Sequence, residues 1–379
     1  MPKRILSVFG TRPEAIKMAP VVNCLQKTPG IESLVAVTAQ HRQMLDQVLA
    51  LFNIKPDFDL DIMQSNQDLF DITSRVLLGL REVYQQCKPD FVLVHGDTTT
   101  CLVASLAAFY LRIPFGHIEA GLRTGNLLAP FPEEANRSLV GRLAHFHFAP
   151  TEAAKINLLR ENVNPDHIIV TGNTVIDALL DVRTRLPDYE PTQWQPALPT
   201  AITEAVLERS SRFILITGHR RENFGKGFED FCLALKQIAI LHPEWLLIYP
   251  VHLNPNVQKP VKALLSGVAN IHLIAPQEYL PFVWLLDQCD LVITDSGGIQ
   301  EEAPSLGKPV LVTRDVTERP EAVRAGTVRL VGTNTKKIFD NTLDILNNET
   351  IYATMSEAHN PYGDGLAAQR IADTLLKFL

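Results

Sequence analysis

Short apolar runs rich in β-branched and aromatic residues alternate with helical stretches along almost the whole chain. This alternation is typical of parallel strands joined by crossover helices, because neighbouring parallel strands cannot be linked by a tight turn. Two series of strands are predicted, at 5–9, 33–38, 91–95, 114–118 and 146–149, and at 213–217, 246–250, 271–274, 291–294 and 309–313. The chain is therefore predicted to be an α/β protein with two parallel sheets.

The length of 379 residues agrees with two domains at roughly 150 residues each. A Pro-rich polar stretch at 187–200 separates the two series of strands. We predict two Rossmann-like doubly wound domains, at 1–175 and 176–363. Because ligands of open parallel sheets bind beyond the carboxyl ends of the strands, two such domains facing each other would share a central cleft.

The composition is that of a globular protein, with 46% hydrophobic residues, 20% charged residues and a net charge of -7. Since no Lys/Arg-rich run is present, neither nucleic acid nor a membrane surface is an expected partner. The sequence shows neither a secretory signal nor an apolar run of about 20 residues, so we expect a cytoplasmic protein. The five cysteines lack CxxC spacing and are expected to be buried and reduced.

The segment FGTRPEAIK follows the first predicted strand. Thr11 and Glu14 fit a capping box, which predicts a helix beginning there. Arg12 and Lys17 add two cations to a helix N-terminus that already favours anions. A purely structural cap and a phosphate site explain this segment about equally well.

The segment TDSGGIQEE joins another predicted strand to a helix. In the turn, Ser296, Gly297 and Gly298 allow backbone amides to approach a phosphate, although a tight strand-to-helix turn has the same pattern. Neither the Walker A motif nor GxGxxG is present, so an ATP-type P-loop and a dinucleotide fingerprint are not supported.

Three acids, Asp97, Glu119 and Glu133, follow predicted strands or begin a predicted helix. Each has a structural alternative: Asp97 could cap a helix, and Glu133 could pair with Arg137 four residues later. Together at one sheet edge, they favour proton transfer. His219 lies in a cation-rich loop of the second half.

HExxH is absent, and His145 and His147 have no evident third ligand. The Asp-x-Asp spacing at 57–61 is short enough to occur by chance, so no metal is expected.

In order, these segments resemble the non-hydrolysing bacterial UDP-N-acetylglucosamine 2-epimerases. The resemblance runs from about residue 5 to 370 and rests on FGTRPEAIKMAP, TAQHRQMLDQVL, VHGDTTT, GHIEAGLRTG, FPEEANR, TGHRREN, YPVHLNPNV, PQEYLPFVWL, TDSGGIQEEAPSLGKPVL, TERPEAV and NPYGDG. It implies a glycosyltransferase-B-like pair of Rossmann-type domains, with the second binding UDP. It also implies a final helix, at 364–379, that packs on the first domain, and a homodimer.

The resemblance also implies roles for individual residues. Asp97, Glu119, Glu133 and His219 are the implied catalytic residues. The implied substrate-binding residues are Arg12, Lys17, Gln277, Phe282, Ser296, Gly297, Gly298, Glu302 and Arg319. A second position for UDP-N-acetylglucosamine, as an allosteric activator, is implied around Gln40, His41, Arg137, Arg220 and His252.

The implied reaction is the reversible epimerisation of UDP-N-acetylglucosamine to UDP-N-acetylmannosamine for surface polysaccharide synthesis, without a cofactor. The hydrogen at carbon 2 is not next to a carbonyl, so UDP must leave first, giving 2-acetamidoglucal before readdition. A hydrolysing epimerase, a UDP-sugar glycosyltransferase of the same fold and a non-catalytic nucleotide-sugar sensor are the alternatives.

Overall fold

The computed structural model describes residues 2–39, 42–64, 67–189, 194 and 198–379. These residues form two compact units. Unit 1 comprises the described residues of Met1–Asp181 and Tyr362–Leu379, and unit 2 comprises those of Val182–Pro361.

Unit 1 contains a parallel sheet of seven strands among the described residues, in the order β3-β2-β1-β4-β5-β6-β7. The strands are β1 (Lys3–Phe9), β2 (Ile31–Val37), β3 (Phe58–Asp59), β4 (Phe91–His95), β5 (Phe115–Ile118), β6 (Phe146–Ala149) and β7 (Ile168–Val170). The chain leaves β1 towards one edge of the sheet and leaves β4 towards the other. This reversal is the topological switch point of a doubly wound fold.

The helices of unit 1 connect these strands. They are α1 (Arg12–Gln26), α2 (Arg42–Leu51), α3 (Leu69–Cys87), α4 (Thr99–Tyr110), α5 (Glu133–Leu143), α6 (Glu152–Arg160), the first part of α7 (Thr174–Arg185) and α16 (Ala367–Phe378). Helices α3, α4 and α5 share one hydrophobic core with the sheet. Every residue of β4 is buried, as expected for a central strand of a sheet packed on both faces.

The final helix, α16, belongs to unit 1. Its first amides are capped by the carboxylate of Asp177, which accepts hydrogen bonds from the backbone nitrogens of Ala367 at 3.2 Å and Ala368 at 2.8 Å. The helix packs on α1. Its last aromatic residue, Phe378, contacts Phe91 of β4 and Phe146 of β6 in the sheet of unit 1.

Unit 2 repeats the doubly wound arrangement, with six described strands in the order β10-β9-β8-β11-β12-β13. The strands are β8 (Phe213–Thr217), β9 (Leu246–Pro250), β10 (Ile271–Ile274), β11 (Leu291–Thr294), β12 (Val310–Val312) and β13 (Val328–Leu330). The helices are α8 (Thr200–Leu207), α9 (Lys226–Leu241), α10 (Pro255–Leu265), α11 (Tyr279–Gln288), α12 (Gly297–Ser305), α13 (Pro320–Ala325), α14 (Thr335–Asn347) and α15 (Glu349–Ser356).

The predicted α/β class with two parallel sheets is confirmed. All ten predicted strands are present, with ends that differ by a few residues, whereas β3, β7 and β13 were not predicted. These three have only two or three residues each, too few to show a pattern. Among the described residues, no helix combines the length and apolar character that a membrane crossing requires.

Candidate active site

The loop after β1 begins the site in unit 1, because β1 and β4 flank the switch point where ligands of open α/β sheets bind. Gly10 is the first residue of this loop. A Cβ atom at this position would lie 2.0 Å from Oγ1 of Thr38, so any other residue would force the neighbouring side chain to shift. Its backbone nitrogen donates to Oε2 of Glu14 at 3.0 Å.

Glu14 confirms the predicted capping box of α1. It is 2% exposed and accepts hydrogen bonds from the backbone nitrogen of Thr11 at 2.8 Å and from Oγ1 of Thr98 at 2.6 Å. Burial raises the pKa of this carboxyl, although its hydrogen-bond donors oppose the shift. Glu14 therefore links the start of α1 to the start of α4. In this way it connects the loop after β1 with the loop after β4.

Glu119 follows β5 directly and has a left-handed backbone, with φ of 62°. Such a conformation is uncommon outside glycine and directs attention to a functional position. Oε2 of Glu119 forms an ion pair with Nζ of Lys17 and accepts a hydrogen bond from Nδ2 of Asn173 at 2.8 Å. Lys17 therefore lies with the acids, one turn along α1 from Arg12, the half-buried first residue of that helix.

Asp97 lies after β4 and forms an ion pair with Arg137, whose Nη2 is 2.6 Å from Oδ2. Burial raises the pKa of Asp97, Arg137 opposes the shift, and the negative charges of Glu119 and Glu133 add to it. The alternative prediction that Asp97 caps a helix is wrong. The residue that caps α4 is Thr98, whose hydroxyl accepts a hydrogen bond from the backbone nitrogen of Cys101.

Glu133 and Glu134 differ although they are neighbours. Glu134 is 1% exposed, and its Oε1 accepts from the amides of Thr124 at 3.0 Å and Gly125 at 2.9 Å, so it braces the preceding loop. Glu133 is only half buried, at the first position of α5. The described ion pairs of Arg137 are to Asp97 and Glu134 rather than to Glu133.

His95, the last residue of β4, was not predicted as part of the site. Its Nε2 is 3.9 Å from Oε2 of Glu119, and burial lowers its pKa to about 4 although Glu119 opposes the shift. The ring is therefore neutral at neutral pH. Its position two residues before Asp97, at the end of the same strand, was the signal that could have identified it.

The loop after β8 lies at the switch point of unit 2, beside the end of β11. Oδ2 of Asp295 accepts hydrogen bonds from the backbone nitrogens of His219 and Arg220, each at 2.8 Å. Oδ1 of the same carboxylate is 3.3 Å from Nδ1 of His219. Asp295 lies within the TDSGG segment, but its contact with His219 was not predicted.

The amino end of α12 contains the three residues predicted to bind phosphate. Ser296 is the N-cap residue of the helix, but its side chain makes no capping hydrogen bond. Gly297 and Gly298 are the first two residues of the helix. A Cβ atom at Gly297 would lie 2.6 Å from Nη1 of Arg319, so glycine allows this guanidinium to approach the helix end. Arg319 is held there by Glu301, with Nε 2.6 Å from Oε1.

Glu318 binds three arginines beside the same helix end. Arg314 and Arg319 approach its carboxylate to 2.6 and 2.8 Å, and Arg220 to 3.4 Å. Burial alone would raise the pKa of Glu318, but Arg319 and Arg314 hold it at about 2. Cations beside the amino end of a helix suit a di-anionic ligand such as a diphosphate.

The other predicted nucleotide contacts also lie in unit 2. Gln277 is buried in the loop before α11 and donates from Nε2 to the carbonyl of Ala275 at 2.7 Å. Phe282 lies on α11 and is half buried. Glu302 accepts a hydrogen bond from the hydroxyl of Tyr279 at 2.8 Å, a partner that the sequence did not indicate.

The residues predicted for a second nucleotide sugar lie in several places. Gln40 and His41 are outside the described residues. Arg137 pairs with Asp97 in unit 1, whereas Arg220 approaches Glu318 in unit 2. The ring of His252 stacks on that of His219, with centroids 5.4 Å apart and an interplanar angle of 18°.

Within the part of the chain that the structure describes, no group of three or more His, Cys, Asp or Glu could hold a metal ion.

Two doubly wound units, one carrying a carboxylate cluster and the other an arginine-rich helix end, define an α/β protein of the glycosyltransferase-B-like class. The fold resembles that of a glycotransferase of kitacinnamycin, with a TM-score of 0.65 at 13% identity over 100% of this chain and 99% of the other. That similarity shows the fold alone.

A family model described as UDP-N-acetylglucosamine 2-epimerase matches residues 23–376. The UDP-N-acetylglucosamine 2-epimerase of Escherichia coli K12 is 59% identical over 372 residues, which is 98% of each chain. The crystal structure of UDP-GlcNAc 2-epimerase from Neisseria meningitidis bound to UDP-GlcNAc has a TM-score of 0.88 and 54% identity, covering 99% of this chain and 100% of that one. The chain belongs to the UDP-N-acetylglucosamine 2-epimerase family, as its motifs indicated.

Proposed function

We propose that this chain epimerises UDP-N-acetylglucosamine at carbon 2, forming UDP-N-acetylmannosamine, in the reversible and non-hydrolysing manner. Membership of the family supports the reaction, and the observation that carries the assignment to residues is the cluster of Asp97, Glu119 and Glu133 at the switch point of unit 1. These acids act at the sugar. The arginines and helix amides of unit 2 bind UDP.

The proposed first step is elimination. The bond between the anomeric carbon and the diphosphate oxygen breaks, and UDP leaves with the electron pair. The positive charge that develops at the anomeric carbon acidifies the hydrogen on carbon 2, and a carboxylate of the cluster takes that proton. The product is 2-acetamidoglucal, and the negative charge on UDP is stabilised by Arg319 and the amides of Gly297 and Gly298.

The proposed second step is readdition. An acid of the cluster gives a proton to the opposite face of carbon 2 while a diphosphate oxygen bonds again to the anomeric carbon. Because the two transfers occur on opposite faces, at least two acid/base groups are needed. Their electrostatic settings support this division: Glu119 is ion-paired with Lys17, whereas burial raises the pKa of Asp97.

The test is incubation with UDP-N-acetylglucosamine in heavy water, followed by proton NMR. Deuterium at carbon 2 in both UDP-sugars supports the proposal. Release of free N-acetylmannosamine with UDP would indicate a hydrolysing epimerase instead. If the hydrogen on carbon 2 does not exchange at all, a glycosyltransferase and a nucleotide-sugar sensor remain as alternatives. Transfer of the sugar to an acceptor would then identify the glycosyltransferase.

We further propose that UDP-N-acetylglucosamine activates the enzyme at a second position, with contributions from Arg220 and His252. The expected signature is a sigmoidal dependence of rate on its concentration, which becomes hyperbolic in His252→Ala. Arg137 is less useful for this test, because it also holds Asp97.

A homodimer is the proposed assembly. Helices α3, α4 and α5 of unit 1 pack side by side and leave large apolar side chains in solvent, among them Leu78, Phe109, Tyr110 and Leu139, which are 53–65% exposed. An apolar face of this kind is typical of a protein interface. Sedimentation equilibrium of the wild type and of Phe109→Ser/Leu139→Ser tests it.

We also propose a cytoplasmic location, which the free state of all five cysteines supports.

A further inference from the structure

The carboxylate of Asp295 makes several contacts with the loop after β8, which contains His219. It is 1% exposed, and Oδ2 accepts the backbone nitrogens of His219 and Arg220 at 2.8 Å each. Nδ2 of Asn223, from the same loop, lies 3.5 Å from that oxygen. One oxygen of the carboxylate thus anchors the loop.

The other oxygen of Asp295 has a different environment. Oδ1 is buried and makes no hydrogen bond to any described residue, yet it lies 3.3 Å from Nδ1 of His219. A buried carboxylate oxygen left without a donor is destabilising, because it has lost its hydration without a replacement. A small rotation of the imidazole that brings Nδ1–H to Oδ1 satisfies it, and it also determines which ring nitrogen carries the proton.

His252 restricts the same ring from another side, because the two imidazoles stack. His252 accepts the amide of Asn254 on its own Nδ1 at 3.1 Å, so its orientation is also determined. Burial lowers the pKa of His219. Of the charged and titratable groups that act on it, Asp295 raises this pKa, whereas His252 and Arg220 lower it further.

We propose that Asp295 is the positioning residue for His219: it accepts Nδ1–H and leaves Nε2 as the nitrogen that exchanges a proton with the diphosphate oxygen leaving the anomeric carbon. The inference rests on the proposed function. Protonated His219 gives its Nε2 proton to that oxygen as the carbon–oxygen bond breaks, and takes it back when the oxygen bonds again. Asp295 accepts Nδ1–H throughout, as the carboxylate does in other carboxylate–histidine pairs.

The first test needs no substitution and no substrate. Nitrogen NMR of wild-type protein with ¹⁵N-labelled histidine, at a pH above the histidine titration, should show His219 with its proton on Nδ1. Finding the proton on Nε2 would overturn the inference, whatever the activity of the enzyme.

The second test is Asp295→Asn. The amide oxygen still accepts the two backbone nitrogens, but the negative charge facing Nδ1 is lost. We expect the pKa of His219 to fall by about one unit, since an opposite charge within about 4–6 Å shifts a pKa by one to three. We expect kcat to fall about 10²-fold or more, with the Kd for UDP changed by less than about threefold.

Asp290→Asn is the matched control. Asp290 lies just before β11, as Asp295 lies just after it, and its Oδ2 also accepts a backbone nitrogen, that of Phe213 at 2.7 Å. This variant should leave the pKa of His219 and kcat unchanged. If Asp295→Asn changes neither the pKa of His219 nor kcat, the inference is wrong. It is also wrong if kcat falls and UDP binding weakens while the pKa of His219 is unchanged, because Asp295 would then only anchor the loop.

The two proposals fail in different ways. A wild-type protein with the expected tautomer but no exchange at carbon 2 would contradict the proposed function and leave the Asp295–His219 pair intact. Normal exchange with the opposite tautomer would contradict only the pair. If Asp295→Asn does not fold, the tautomer in the wild type still decides.

Discussion

Nζ of Lys17 and Oε2 of Glu119 form an ion pair that joins α1 to the loop after β5, across 102 residues of sequence. Both side chains are largely removed from water, at 15% and 9% exposed. A buried pair of this kind is costly to break from one side, because the remaining charge loses its partner. Lys17 therefore supplies the opposite charge beside Glu119, and the hydrogen bond from Asn173 helps to fix the position of the carboxylate.

Substitution of Glu119 by Gln is expected to lower kcat for epimerisation about 10²-fold or more, because the amide cannot take a proton from carbon 2. Exchange of the carbon 2 hydrogen in heavy water measures this step directly. The control is Glu161→Gln, which removes the partner of Arg123, a pair at 2.6 Å in the same unit. Equal losses in the two variants would show that a general weakening of unit 1, rather than chemistry, explains the result.

Gly10→Ala tests whether the loop after β1 needs glycine. The added Cβ would lie 2.0 Å from Oγ1 of Thr38 and 2.8 Å from Oγ1 of Thr100, in a buried region. Overpacking of this kind costs about 1–3 kcal/mol, so we expect a lower free energy of unfolding in urea. Thr38→Ala removes the nearer hydroxyl, and the double variant should recover part of the loss. A double variant whose loss is simply additive would contradict the proposed clash.

Local patterns predicted much of the fold. The capping box at Thr11 and Glu14 involves residues three apart, and its prediction is confirmed because short-range hydrogen bonding follows from the residues themselves. The central strands were identified for a similar reason, since strands buried on both faces are continuous apolar runs. Residues after those strands were expected at one sheet edge, and the structure places Asp97 and Glu119 there.

The pairings within the site were not predictable in this way. Lys17 with Glu119, and His219 with Asp295, are contacts between residues 102 and 76 positions apart, which only the strand order brings together. Nor could the sequence distinguish Glu133 from Glu134. Helix α5 turns by about 100° per residue, so its orientation on the sheet decides which of the two carboxylates is buried.

The acid stability of unit 1 is expected to depend on buried histidines. Burial lowers the pKa of His95 and His147 to about 4 and that of His117 to about 3. In the unfolded chain these groups titrate near pH 6.5, so between the two values the unfolded state binds more protons. The free energy of unfolding therefore falls as the pH falls below about 6.5, by about 1.4 kcal/mol per pH unit for each histidine.

Urea unfolding at pH 7.5, 6.5 and 5.5 measures this dependence. Glu14 and Asp97 act in the opposite sense, because their raised pKa values make the folded state bind protons more readily. The difference between the wild type and His147→Phe cancels those contributions. We expect the variant to lose about one histidine's share of the pH dependence, while His359→Gln, at an exposed position, loses none. Identical slopes for all three proteins would contradict the prediction.

Glu318→Gln is expected to strengthen UDP binding. In the structure its carboxylate binds Arg220, Arg314 and Arg319 beside the amino end of α12, and these cations hold its pKa at about 2, so it is ionised at every working pH. A diphosphate that binds there must compete with this carboxylate for the same guanidinium groups. Removal of its charge leaves the guanidinium groups to the ligand.

We expect the Kd for UDP, measured by calorimetry at fixed salt, to fall about tenfold, which corresponds to about 1.4 kcal/mol. Glu222→Gln is the matched control, because Glu222 pairs only with Arg314 among the described ion pairs and is 50% exposed. Its effect should be within about twofold. Weaker UDP binding in Glu318→Gln would show the reverse role, in which Glu318 holds the arginines in place for the diphosphate.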